Sequence, residues 1–196
     1  MTNLSNHVSF EAHADLPTSY GDFKIHVCTH KGQEHLVLVL GNIGMNKTVL
    51  TRVHSECLTG DGLFSLRCDC GPQLAFAMDK MRERKSGLLI YLRQEGRGIG
   101  LVEKIKAYAL QDKGEDTVTA NIKLGHKADN RHYDMLKDIF AYFNVTQIDL
   151  LTNNPEKISA IKAAGVQIKN RIPIKAGHNA HNHVYLQTKI DKFKHL

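Results

Sequence analysis

Three cysteines crowd one short stretch of this chain. Cys57, Cys68 and Cys70 lie in HSECLTGDGLFSLRCDCGPQL beside His54, Glu56, Asp61, Arg67 and Asp69, whereas Cys28 stands alone in GDFKIHVCTH. The N-terminal MTNLSNHVSFEAHADLP has no basic start and no apolar run, so the sequence reads as cytoplasmic and its cysteines as reduced thiols rather than a disulfide framework. Reduced cysteines this close together are either small buried hydrophobes or metal ligands. Zinc takes thiolates at tetrahedral angles, and Cys57 followed after ten residues by a C-x-C pair closes a loop that offers three. Three thiolates leave a fourth position for water, the open arrangement of a hydrolytic zinc. C-x-C alone favours the buried-thiol reading; Cys57 and the charged neighbours shift the balance to metal. Cys28, in strand-like surroundings, reads as a core thiol. His54-Ser55-Glu56 matches the H-x-E of zinc nucleobase deaminases, but those enzymes continue with P-C-x-x-C, so what survives is hydrolysis near a nucleobase as a chemical idea.

A second constellation suits phosphate. The apolar run GLLIYLR leads into QEGRGIG and then a helical pattern, so Gly96, Gly98 and Gly100 let backbone N–H groups approach an anion while Arg93 and Arg97 add charge. The string lacks the G-x-x-x-x-G-K of a P-loop and the glycine spacing of a dinucleotide fold, and a Gly-rich turn is often only a turn. LLTNNPEK places Thr152, Asn154 and Lys157 at another strand-to-helix junction, where simple capping is an equal reading. Asp129 and Arg131, two residues apart, can face one way as base and anion clamp. They also fit a helix cap and a surface charge, which spacing alone favours.

These groups need elements to hold them. GDFKIHVCTH (21–30), LVLVL (36–40) and TVLTRVHSE (48–56) read as strands, and a helix after Pro72 carries Leu74, Ala77, Met78 and Met81 at helical spacing. GLLIYLR (87–93) is a strand, and Ile99 to Asp112 a helix with Leu101, Val102, Ile105 and Ala109 inward. A further helix carries Leu136, Ile139, Phe140 and Phe143. TQIDLLT (146–152) is a strand, Asn154 and Pro155 start a helix that Gly165 ends, VQIKNRIPI (166–174) is a strand, and a terminal helix closes the chain. One α+β domain over residues 1–196 is the economical reading: a mixed or antiparallel sheet in the first third, then alternating helices and strands. Lys plus Arg number 26 against 20 Asp plus Glu, a formal net charge of +6, so anionic partners fit: nucleic acid, an anionic membrane surface or a phosphorylated small molecule. No apolar run approaches the roughly 20 residues of a membrane span.

RVHSECLTGD, SLRCDCGPQL, YLRQEGRGIGL, AYALQD, DTVTAN, ADNR and LLTNNPEK occur along the chain, and together they closely resemble GTP cyclohydrolase II, the family that opens riboflavin biosynthesis. The resemblance runs from about Leu16 through the C-terminal region. It implies a zinc ion on Cys57, Cys68 and Cys70. It also implies GTP contacts from Arg52, Val53, His54, Ser55 and Glu56, and from Gln73, Glu95, Gly96, Arg97, Thr117, Thr152 and Lys157, with Mg2+ on the triphosphate. Glu56 and Gln73 suit guanine, since a carboxylate accepts from its N1–H and amino group. The implied chemistry is hydrolytic opening of the imidazole ring at C8, loss of that carbon as formate and separate release of pyrophosphate, leaving a diaminopyrimidinone ribosylamine phosphate. Tyr108 matches the residue assigned to the ring chemistry, although its helical position also fits a core side chain. Asp129 matches a proton acceptor and Arg131 a nucleophile at phosphorus; a guanidinium has no free lone pair, so a clamp on the α-phosphate is the easier role.

Departures from the family pattern touch no implied ligand: Lys85-Ser86 replaces a usual Glu-Gly, and Asn144 a usual glycine. The family's fused format adds a dihydroxybutanone-phosphate synthase domain, for which 196 residues leave no room. The family is expected to be a homodimer. His178, His181 and His183 cluster near the end, but with 12 histidines in the chain they are assigned no metal. Two other readings compete. A non-catalytic nucleic-acid-binding zinc module lacks C2H2 spacing, an aromatic stacking strand and a basic tract; a variant that keeps the formyl group is opposed by Tyr108. The expected partner is therefore GTP, with neither nucleic acid nor membrane.

Overall fold

The computed structural model describes residues 7–44, 47–127 and 129–194. The chain forms two compact units interleaved along the sequence: Met1–His54, Ala75–Arg93 and Tyr133–Ile174 make the first, and Ser55–Leu74, Gln94–His132 and Lys175–Leu196 the second.

The first unit is built on a seven-stranded sheet of β1 (Ser9–Thr18), β2 (Gly21–His30), β3 (Gln33–Leu40), β4 (Thr48–Ser55), β5 (Gly87–Leu92), β6 (Gln147–Leu151) and β7 (Gln167–Ile172), in the order β1-β2-β3-β5-β4-β6-β7. β1 to β2, β2 to β3 and β3 to β5 pair antiparallel, whereas β4 to β6 and β6 to β7 pair parallel. The fold is thus α+β with a mixed sheet, as the run of strand patterns predicts. Leu88, Ile90 and Leu92 of β5 join Cys28, Val37, Val53, Ile148 and Leu150 in one core with helix residues Leu136, Ile139, Phe140 and Ile161. Alternation sends Leu89 to the opposite face. There the helix Cys70–Arg84 lays Met81 over Gly87, where an added Cβ would come within 2.2 Å of Met81 Cγ. Cys28 is fully buried, and burial pushes its thiol up to about 11, so it is a core group.

The helices, in chain order, are α1 (Leu58–Asp61), α2 (Cys70–Arg84), α3 (Leu101–Gln111), α4 (Thr117–Lys123), α5 (Leu136–Tyr142), α6 (Pro155–Ala163) and α7 (His183–Phe193). Asn154 caps α6 by accepting from the Glu156 N–H at 2.8 Å, with Pro155 in the first turn, as the sequence predicts. β1 leaves no trace in the apolar pattern because nearly all of it is exposed at the sheet edge. In α3 the expected inward set is overturned. Leu101, Val102 and Ile105 are 39%, 68% and 47% exposed, Ala109 is exposed, and the buried residues are Lys104 and Ala107. Among the described residues no helix is long and apolar enough to cross a membrane.

The turn out of β3 gives a direct check on this packing. Gly41 has φ +61°, and an added Cβ would lie 2.3 Å from the Lys85 carbonyl oxygen. Gly41→Ala therefore combines a left-handed backbone with a clash against main chain. It is expected to destabilise by about 2 kcal/mol or more in denaturant unfolding, and an unchanged midpoint would contradict the geometry.

A three-thiol cluster and its charged surround

In the second unit α1 turns the chain straight after Cys57, and α2 begins at Cys70, so Cys57, Cys68 and Cys70 converge with all three Sγ atoms within 4.8 Å of one another. Cys57 Sγ and Cys68 Sγ are 3.6 Å apart. Gly60 makes this possible. A Cβ there would lie 2.7 Å from Cys68 Sγ and 3.2 Å from Cys57 Sγ, and one on Gly71 would meet the Gly60 carbonyl at 2.2 Å. Hydrogen bonds from the Cys68 and Cys70 thiols, with Lys104, pull Cys57 far down despite burial; sharing with Cys57 raises Cys68 to about 11 and Cys70 well above its ordinary value. Without a cation the cluster thus holds one thiolate and two thiols, and a divalent ion can displace the two remaining protons. Sulfurs at zinc-bond length on tetrahedral corners are about 3.8 Å apart, so the donor set fits zinc.

Lys104, which no sequence pattern singled out, is the group behind this cluster. Its ammonium is 3.2 Å from Cys57 Sγ and 2.7 Å from Glu95 Oε1, and both side chains are buried. Burial pushes Lys104 down, but Cys57 and Glu95 outweigh it and hold it charged. A lysine can point inward here only because two anions meet it, which is why the apolar stripe of α3 faces out. Glu95 in turn accepts from the Leu58 and Gly96 N–H groups, each at 2.7 Å, tying the 3₁₀ turn Glu95–Gly98 to the start of α1. Tyr108, one turn on from Lys104, sets its hydroxyl 3.4 Å from Thr59 Oγ1 and its ring under Arg67. Burial pushes the Tyr108 hydroxyl up against the pull of Thr59 and Lys104.

The Glu95–Gly98 turn is left-handed at both Gly96 and Arg97, with φ 62° at each. The Arg97 carbonyl accepts from the Asn130 N–H at 2.9 Å, and an added Cβ at Gly98 would lie 2.8 Å from the Asn130 oxygen, so this turn and the Asp129–Arg131 segment are pressed together. Asp129 caps no helix. It accepts from the Arg131 backbone N–H at 3.0 Å and from Arg131 Nε at 2.9 Å and Nη2, while Arg131 Nη1 reaches Ser55 Oγ at 3.5 Å. Burial pushes Asp129 up, but Arg131 and the charge of Arg97 outweigh it and keep the carboxyl below the usual carboxylate range. Gln73 donates from Nε2 to Asp69 at 2.5 Å in the first turn of α2. Glu56 is half-buried after β4, and Thr117 opens α4, its side chain lying outside the described residues.

The remaining candidates belong to the first unit, at the ends of β4 and β6. Arg52, His54, Thr152 and Lys157 are buried there. Arg52 Nη1 donates to the Leu151 carbonyl at 3.0 Å and Lys157 Nζ to the Val53 carbonyl at 2.8 Å. His54 stacks on Tyr91 with centroids 5.5 Å apart, and Thr152 Oγ1 accepts from the Asn154 N–H at 3.1 Å.

The chain is similar to known proteins along most of its length. The sequence profile described as GTP cyclohydrolase II matches residues 9–173. A GTP cyclohydrolase-2 of Neisseria meningitidis serogroup C is 51% identical over 197 aligned positions, covering 100% of this chain and 98% of its own. The enzymes of that name from Colwellia psychrerythraea and Shewanella baltica are 50% and 49% identical, each over 96% of this chain and 94% of their own. Among solved structures, RibBX, a two-domain 3,4-dihydroxy-2-butanone 4-phosphate synthase from A. baumannii, aligns with 89% of this chain and 42% of its own at 18% identity and a TM-score of 0.47.

The contact of Gly60 with the sulfurs makes the metal fit measurable. Gly60→Ala is expected to weaken zinc affinity by about 10-fold or more in chelator competition while the circular dichroism stays native. Wild-type affinity in this variant would mean that the three sulfurs do not close on one ion.

Proposed function

Since the chain belongs to the GTP cyclohydrolase II family, we propose that it hydrolyses GTP to 2,5-diamino-6-(ribosylamino)pyrimidin-4-one 5'-phosphate, formate and pyrophosphate, the first step of riboflavin biosynthesis. The observation that carries this reading is the meeting of three sulfurs within 4.8 Å beside a buried lysine and a half-buried tyrosine. Cys57, Cys68 and Cys70 hold zinc, which supplies Lewis acidity for hydrolysis at C8 of the guanine ring. Tyr108 is a phenol that ordinarily keeps its proton at neutral pH, and burial pushes it further up, so it can donate to a ring nitrogen as the imidazole opens. Asp129 stays ionised and can take a proton.

Arg131, held charged against Asp129, clamps the α-phosphate rather than attacking it. Glu56 and Gln73 are assigned to the guanine edge, and Ser55, Glu95, Gly96, Arg97 and Thr117 to further contacts of the second unit. Arg97 supports an anionic ligand: its Nη1 is buried without a hydrogen-bond partner among the described residues. In the first unit Arg52, Val53, His54, Thr152 and Lys157 are assigned to the nucleotide, two of them cations that suit a triphosphate bound as its magnesium complex. The bare face of α3, with Leu101, Val102 and Ile105, is covered by a second copy, making the enzyme a homodimer.

Incubation with GTP, following formate, pyrophosphate and the pyrimidine separately, tests the whole reading. Tyr108→Phe is expected to lower formate release by about 100-fold while pyrophosphate release is at least partly retained. Formate release at the wild-type rate would remove Tyr108 from the chemistry, and a formylated product from the wild-type protein would replace the double hydrolysis by a single one. For the dimer, Val102→Asp is expected to halve the mass seen in sedimentation, and an unaltered mass would move the interface off α3.

A further inference from the structure

The matched family profile ends at residue 173, yet the residues beyond it are woven into the candidate site. Gly177 has φ +77°, and an added Cβ would lie 2.7 Å from the Pro72 ring, so the segment before α7 presses its main chain onto the first turn of α2. Asn182 holds that turn by donating from Nδ2 to the Gly177 carbonyl at 2.6 Å. From α7, Lys189 Nζ reaches Asp69 Oδ1 at 2.5 Å, with side chains 13% and 5% exposed. Asp69 lies between two metal-ligand cysteines, and its other oxygen receives Gln73 Nε2. Four residues on, the Phe193 ring lies under the Arg97 guanidinium, 4.2 Å from centroid to carbon, and Tyr185 flanks the same guanidinium at 5.9 Å. Lys192 Nζ meets Asp116, the cap of α4, at 2.9 Å.

We infer that α7 is a positioning element of the nucleotide site: Lys189 on Asp69 and Phe193 under Arg97 hold the Cys68–Gln73 segment and the Glu95–Arg97 turn in the arrangement that GTP requires. The inference rests on the GTP reading above, and it assigns Lys189 and Phe193 a role that no metal ligand or ring-chemistry residue supplies. An ion pair this buried has directional hydrogen bonds and fixes the Asp69 carboxylate, hence the Gln73 amide. A ring stacked on a guanidinium fixes the plane of Arg97 while leaving its N–H edge for an anion. Lys189 acts through Asp69 on Gln73, and Phe193 acts directly on Arg97. Gln73 and Arg97 are both assigned to binding, so loss of these contacts falls on KM, and zinc content is followed because Asp69 sits between Cys68 and Cys70.

The test uses the full-length zinc-loaded enzyme with Lys189→Gln, Lys189→Arg and Phe193→Ala, measuring kcat, KM for GTP, zinc content and melting temperature. Lys189→Gln and Phe193→Ala are each expected to raise KM about 10-fold with kcat within about threefold and zinc content unchanged, and Lys189→Arg to recover most of the loss. Wild-type KM in both variants overturns the inference. So does a parallel fall of kcat, zinc content and melting temperature that Lys189→Arg does not repair, because that is the mark of a merely structural helix. A wild-type enzyme that neither binds nor turns over GTP overturns the GTP reading first, and this inference with it.

Discussion

Like charges set the terms for the second unit. Three sulfur atoms within 4.8 Å cannot all ionise unaided, and a buried cation, Lys104, lies 3.2 Å from Cys57 Sγ. Lys104 favours the thiolate at Cys57, while sharing with Cys57 pushes Cys68 and Cys70 toward their protonated forms. A divalent ion in place of those protons would leave three thiolates and one dication with a net charge of −1, which Lys104 would offset. Its second partner, Glu95, passes the constraint to the neighbouring turn through two backbone N–H groups. The same ammonium therefore serves the thiolates and the turn that carries Arg97.

The surrounding packing is arranged to keep these charges close. Gly60 and Gly71 let main chain and sulfur approach where any side chain would intervene, and α3 turns its apolar residues to the outside so that Lys104 can face in. The sheet of the first unit supplies a different service. Central strands buried on both faces hold the ends of β4 and β6, where Arg52 of β4 donates to the Leu151 carbonyl of β6 and Lys157 of α6 to the Val53 carbonyl of β4. Rigid backbone at these cations lowers the entropy lost when an anion is bound.

Much of this was legible in the sequence where the signal is local. The cysteines declared themselves by type and spacing, the α6 start by Asn154 and Pro155, and the central strands by their apolar runs. What escaped depends on partners distant in the chain. Lys104 reads as an interruption of an apolar stripe until Cys57, 47 residues earlier, is known to meet it. Asp69 is an ordinary acidic residue between cysteines until Lys189, 120 residues later, pairs with it. Asp129 next to Arg131 resembles a helix cap by spacing, and only the fold reveals that its lone pairs go to the guanidinium. β1 was invisible because an edge strand with little burial needs no apolar alternation.

The interleaving of the two units bears on how the molecule is made. Residues leave the ribosome in order, so the cysteine loop and Lys104 are available long before Lys189. Metal capture can thus begin on a nascent chain, with Gly60, Lys104 and Glu95 already present to shape the loop. α7 follows β7 in the chain, so its ion pair with Asp69 can form only after the cysteine loop and Lys104 have been made. The order of synthesis thereby places the shaping of the cysteine loop before the contact that fastens Asp69 within it.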